Sequence, residues 1–119
     1  MCIRDSVAFA LADGLRVLRE AGTTVDRLSV IGGGARSAYW GRTLAAAMDV
    51  PLVYLKGGEV GPALGAARLA QLAVDGGVPA QVCIAPPVSH IIEPDRDLVD
   101  RLAPKYAAFR DAYPRMRTF

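Results

Sequence analysis

Residues 28–40 read Leu-Ser-Val-Ile-Gly-Gly-Gly-Ala-Arg-Ser-Ala-Tyr-Trp, an apolar run that breaks into three glycines and resumes as a helical pattern. Leu28, Val30 and Ile31 have the apolar, partly β-branched content of a buried strand. Gly32, Gly33 and Gly34 follow, and Ala35-Arg36-Ser37 leads into apolar positions at Trp40, Leu44 and Ala47. A strand that ends in glycines and turns into a helix is a recurrent way to hold an anion. Glycine lets the backbone come close, and the first amides of the helix point outward with a partial positive charge. The same glycines would serve a plain tight turn, where only positive φ is required. The loop by itself leaves both readings open; the flanking strand and helix favour the anion site.

Outward from this stretch, the spacing predicts a helix over residues 37–48, with Ser37 as its N-cap and Trp40, Leu44, Ala47 and Met48 as its buried stripe. Asp49-Val50-Pro51 breaks the chain, and residues 52–55 form a second strand behind Pro51. Strand, helix and strand within about thirty residues make a βαβ unit with two parallel strands. Upstream, residues 7–21 are an amphipathic helix with Val7, Leu11, Leu15 and Leu18 on one face and Gly22 as a left-handed cap. Gly14 costs this helix about 1 kcal/mol relative to alanine, so it is expected where another backbone packs closely. Residues 1–6 do not continue the pattern and read as a foreign or truncated start, although Asp5 or Ser6 suits a helix cap.

Downstream, Lys56-Gly57-Gly58-Glu59 is a turn, and residues 60–74 are a helix with Pro62 in its first turn. Its small side chains predict a tightly packed core helix, with Glu59 and Gly61 on the leading loop as cleft-lining candidates. Residues 78–94 carry four prolines and read as irregular, with a short extended piece at 88–92. His90 reads as a surface or packing residue. Residues 95–113 return to helical spacing at Leu98, Leu102, Tyr106, Phe109 and Tyr113, with Pro104 expected to kink or divide them. Asp95 and Asp97 favour the start of this helix, and Arg110, Arg115 and Arg117 its end. The fold class is α/β.

Composition narrows the functions. With 119 residues, 52% of them hydrophobic, the chain can form one ordinary core. A formal charge of +2 with scattered basic residues is no footprint for nucleic acid. Cys2 and Cys83 have no metal-ligand spacing and make no disulfide framework, and His90 is the sole histidine, so no metal site is assigned. Apolar residues 7–12 stop at Asp13, too short for a membrane span or a signal-peptide core. The expected compartment is the cytoplasm.

Two phosphate-binding motifs fail at the glycines. A P-loop needs a lysine and a hydroxyl after its last glycine, and here Ala35 and Arg36 follow Gly34. A dinucleotide fingerprint needs a third glycine where Ser37 stands, and an acid at the end of the second strand, where Leu55-Lys56 stand. A third pattern matches: residues 28–40 resemble the adenosine-binding signature of the FGGY carbohydrate kinases, in which a strand, a Gly-Gly-Gly-Ala loop, a basic residue, a serine and a tryptophan occur in this order. Residues 57–70, Gly-Gly-Glu-Val-Gly-Pro-Ala-Leu-Gly-Ala-Ala-Arg-Leu-Ala, are similar to a late helix of the same family, especially in the branch that phosphorylates D-xylulose. Two ordered blocks are more specific than one glycine run.

The resemblance implies an actin-like ATPase (ribonuclease H-like) domain, present in part, with residues 7–119 as an incomplete C-terminal kinase domain. It implies ATP and magnesium as cofactors, with ATP or ADP on this domain and the sugar held mainly by an N-terminal domain that is not in this chain. An aspartate base, also outside this chain, would take the proton of the attacking sugar hydroxyl. No catalytic residue is therefore assigned, and the chain alone is expected to be inactive. The motif match carries the nucleotide contacts onto Gly32, Gly33, Gly34 and Ala35, with Ser37 and Ala38 toward the adenosine end and Arg36 pointing to solvent. The resemblance further implies a possible homodimer in the full enzyme. The alternatives are a different sugar or polyol kinase of the family, and a non-catalytic nucleotide-binding or interaction module with a sealed surface.

Overall fold

The computed structural model describes residues 3–58 and 61–116, apart from the side chain of Tyr113. Cys2, Glu59, Val60 and Arg117 therefore lie outside the described residues. The elements in chain order are α1 (Ile3–Glu20), β1 (Leu28–Val30), a 3-10 turn (Gly33–Arg36), α2 (Ala38–Met48) and β2 (Leu52–Leu55). They continue with α3 (Gly61–Asp75), the single turn α4 (Pro79–Val82), β3 (Val88–Ile92) and α5 (Arg96–Met116).

The three strands form one sheet in the order β1-β2-β3. β1 and β2 are parallel, with Leu28 opposite Leu52 and Val30 opposite Tyr54, as the βαβ reading requires. β3 is the extended piece expected at residues 88–92. It pairs antiparallel with β2, with a register shift between Tyr54 and Leu55. Helices α1, α2 and α5 pack on one another. Leu52 and Tyr54 join the core formed by Ala8, Leu15, Leu44, Ala45 and Val50. Phe9 is fully buried, its ring 5.6 Å from that of Tyr106 and 5.7 Å from that of Phe109.

Several local expectations meet their physical cause here. Thr23 donates to the carbonyl of Leu18 and Gly22 to that of Arg19, which with φ +92° at Gly22 is a Schellman cap closing α1. Ser37 caps α2, its Oγ accepting from the Trp40 amide at 3.2 Å. Asp95 caps α5 in the same way, accepting from the Leu98 amide at 3.2 Å.

Other expectations are corrected. Helix α1 begins at Ile3, so residues 3–6 are helical rather than outside the element. Its buried side is Ala8, Phe9, Ala12 and Leu15, whereas Val7, Leu11 and Leu18 are about half exposed. The small alanines let α2 and α5 approach, so the helix turns its alanines and Phe9 inward and leaves most of its leucines outside. Gly14 meets no atom within 4 Å of a built Cβ among the described residues, so no described backbone packs there. Helix α3 buries none of its residues, against the expectation of a core helix. Pro104 lies within one continuous α5 and does not divide it. Leu102, buried, and Tyr106 and Phe109, half-buried, hold the helix on both sides of the proline.

Candidate nucleotide site

β1 delivers the chain to Gly32, which has φ +86° and ψ −177°, a conformation only glycine adopts without strain. The 3-10 turn follows at once, with Ala35 donating to the Gly32 carbonyl at 3.1 Å and Ser37 to that of Gly34 at 3.2 Å. Gly33 and Gly34 supply the leading amides of this turn, which have no acceptor within it. A Cβ at Gly32 or Gly33 would meet nothing within 4 Å among the described residues. At Gly34 it would lie 3.4 Å from Cδ1 of Trp40.

The fold brings the two sequence blocks together. The Gly32 amide donates to the Gly58 carbonyl at 3.2 Å. A Cβ at Gly58 would stand 3.4 Å from the Val30 carbonyl oxygen, and one at Gly61 would touch the Ile31 side chain at 3.4 Å. Gly58 and Gly61 are thus small because the end of β1 lies against them. Of the two leading-loop candidates, Gly61 stands beside Ile31; Glu59 lies outside the described residues.

The six glycine-loop candidates do not line one cavity. Ala35 opens, with Arg36, Lys56 and Gly57, onto a crevice of about 170 Å³ between the two glycine turns. That crevice has the two cations Arg36 and Lys56 and no carboxylate among its described lining residues. Gly34 sits at the end of a larger apolar groove bounded by α1, β1 and α2. Ser37 borders a third hollow with Tyr39 and Trp40, and Ala38 is exposed on the first turn of α2. Arg36 is exposed, as expected.

A supporting feature was not legible in the residue pattern. Tyr54 is buried on β2 with its ring stacked on that of His90, centroids 4.4 Å apart. Its hydroxyl has no hydrogen-bond partner among the described residues, and burial pushes the phenol pKa up. The hydroxyl lies beneath α2, where a Cβ on Gly41 would collide with it. Gly41 is what allows α2, and with it the Ser37 cap, to sit this close to the sheet. The only sequence signal was a glycine inside a helical pattern.

The sequence model of the FGGY family of carbohydrate kinases, C-terminal domain, matches residues 1–74. The xylulose kinase of Klebsiella pneumoniae is 37% identical over 115 residues, which are 96% of this chain and 23% of that protein. The xylulose kinase of Escherichia coli K12 is 49% identical over 73 residues, 61% of this chain and 15% of that protein. The crystal structure of a xylulose kinase from Brucella ovis superposes with a TM-score of 0.80 at 36% identity, covering 97% of this chain and 24% of that one. The chain therefore spans a quarter or less of the length of these relatives. No described helix is long and apolar enough to cross a membrane.

Proposed function

We propose a function from one premise: the chain belongs to the FGGY family of carbohydrate kinases, through that family's C-terminal domain, and has part of its actin-like fold. The chain supplies the nucleotide side of an ATP-dependent kinase for D-xylulose, with the sugar bound chiefly by polypeptide outside it. Residues 7–119 act as an incomplete C-terminal domain. The reading for the sugar is supported by the chain's similarity to the xylulose kinases of Escherichia coli, Klebsiella pneumoniae and Brucella ovis.

One observation carries the nucleotide reading: the hydrogen bond from Gly32 to Gly58 that joins the two glycine turns beside Arg36 and Lys56. The residues fit an adenine nucleotide. Gly33 leaves its backbone clear of the described residues, Gly34 adds the next amide of the turn beside Trp40, and the two cations of the neighbouring crevice favour an anion. Gly32 and Ala35 set the path of the turn, and Ser37 and Ala38 lie toward the adenosine. ATP, when bound, supplies the phosphoryl group; this chain's residues bind and orient it. The crevice has no carboxylate among its described residues, so no magnesium ligand is assigned and no step is routed through the metal. A sealed interaction module is disfavoured by the open groove and by α3. The radius of gyration of 17.6 Å agrees, since about 13.5 Å suits a compact chain of this length.

The test is titration of ADP against the isotopically labelled chain. The Gly33 and Gly34 amide resonances are expected to shift, and unchanged resonances at millimolar ADP would overturn the reading. The chain alone is expected to give no turnover of ATP with D-xylulose.

A further inference from the structure

Beside the crevice between the two glycine turns, β3 breaks the alternation of a strand. Its register against β2 sets His90 opposite Tyr54 and Val88 opposite Leu55, so Ser89 is one residue more than β2 can match. Successive strand residues ordinarily turn to opposite faces. Here Ser89 and His90 both open onto the one crevice, and the Ser89 Oγ lies 3.3 Å from the His90 Nδ1. Bulges of this kind recur beside functional sites, where the extra residue re-aims a side chain.

The surrounding structure holds the two residues in place. The Lys56 amide donates to the Pro87 carbonyl at 2.9 Å, which ties the turn after β2 to the start of β3. The bond from Gly32 to Gly58 ties that same turn to the glycine loop. The His90 ring lies nearly flat on the buried Tyr54 ring, at an interplanar angle of 12°. Stacking fixes the plane of the imidazole, and His90 itself stays exposed.

Arg36 from the 3-10 turn and Lys56 from the turn after β2 line the same crevice. Neither forms an ion pair among the described residues. A volume of about 170 Å³ is small; sites that enclose a whole small molecule begin near roughly 300 Å³. The crevice therefore suits a phosphate-sized group, with the rest of a larger ligand outside it. Its donors are those that hold such a group: a guanidinium fork, an ammonium, a hydroxyl and an imidazole N–H.

We propose that Ser89 and His90 complete, with Arg36 and Lys56, a binding site for a diphosphate group. Resting on the nucleotide reading above, that group is the diphosphate end of ADP. Arg36 and Lys56 supply charge, and the β3 bulge supplies two further donors. The anion is thus held by three segments of chain rather than by one turn.

The test titrates the isotopically labelled full chain with inorganic pyrophosphate, with ADP and with adenosine, at an ionic strength fixed by potassium chloride. Pyrophosphate and ADP are expected to shift the Ser89 amide and His90 ring resonances, and adenosine to leave both in place. His90→Gln should weaken pyrophosphate binding at least threefold with circular dichroism unchanged. Ser89→Ala, which keeps the stacked ring, should do the same and decides the matter should His90→Gln misfold. Arg27→Gln, exposed just before β1, should leave binding unaltered. Shifts at Gly33 and Gly34 with ADP but none at Ser89 and His90 overturn the site and leave the nucleotide reading standing. Shifts at Ser89 and His90 with pyrophosphate but none anywhere with ADP support the site and overturn the nucleotide reading. A response that potassium chloride alone reproduces, or binding indifferent to both His90→Gln and Ser89→Ala, overturns the site.

Discussion

Helices α2 and α3 are both rich in alanine and glycine, and both stand just behind a glycine turn, yet they end in opposite environments. α2 buries six of its eleven residues between α1, α5 and the sheet. α3 buries none of its fifteen and is tied down by Gly61 against Ile31 and by Arg68, which donates to the Ile84 carbonyl. Small side chains permit close packing in both, but permission becomes stability only where a partner surface is present. For α2 the partners are elements of this chain. For α3, as for the groove beside β1, they are not among the described residues.

The contrast can be broken most directly by truncation. Leu44→Ala in α2 should cost about 3 kcal/mol, because its side chain is buried and its loss leaves a cavity. Leu69→Ala in α3, 68% exposed, should stay within about 0.5 kcal/mol. Urea denaturation of the two variants measures both, and equal losses would erase the distinction.

Glycine sharpens it. Gly41→Ala should destabilise by about 2 kcal/mol, since its Cβ would collide with the Tyr54 hydroxyl and the Ile92 methyl. Tyr54→Phe in the same background should restore part of that loss by removing the unpartnered hydroxyl. Gly65→Ala in α3 meets nothing within 4 Å among the described residues and should stabilise by about 1 kcal/mol through helix propensity. Thermal melts that moved both glycine variants in one direction would refute the pairing.

Two smaller effects test what anchors the packed side. Ser37→Ala should cost about 1 kcal/mol by removing the cap of α2, read as a lowered denaturation midpoint. The link between α1 and α5 should be pH-dependent. Asp13 accepts hydrogen bonds from Arg16 at 3.0 Å and Tyr106 at 3.2 Å and lies 3.5 Å from Arg110. Its pKa is held below 3.8, first by the hydrogen bond from Arg16. A carboxylate with a depressed folded pKa adds stability above its unfolded value, and that stability is lost as pH falls through the folded one. Partial exposure and solvent screening keep the contribution to a few tenths of a kcal/mol. Asp13→Asn should flatten the stability profile below about pH 4 and leave neutral pH nearly unchanged; an unaltered profile would remove Asp13 from the account.

Much of the element order was legible. The turn from β1 through the glycines into α2, the β2 strand after Pro51 and the parallel pairing follow from local physics. Glycine, proline and a capping serine act within a few residues of themselves, and the period of apolar positions separates strand from helix. The family was legible for the same reason, since two ordered blocks are a one-dimensional pattern. The antiparallel partner of β2 was visible only as an extended piece, because pairing is a relation between distant segments. The inward face of α1 was misread because Val7, Leu11 and Leu18 outweigh alanines in hydrophobicity, while the fold required small residues where α2 and α5 come close.

By itself the sequence determined the βαβ unit, the glycine turn, the caps and the family, all carried by residues near one another along the chain. Only the tertiary structure decided that Gly32 bonds to Gly58, that Gly41 sits over the Tyr54 hydroxyl, that α3 stays uncovered and that Gly14 faces an empty groove. Each depends on which surfaces approach in space, and burial is a property of a pair of surfaces that neither segment encodes alone.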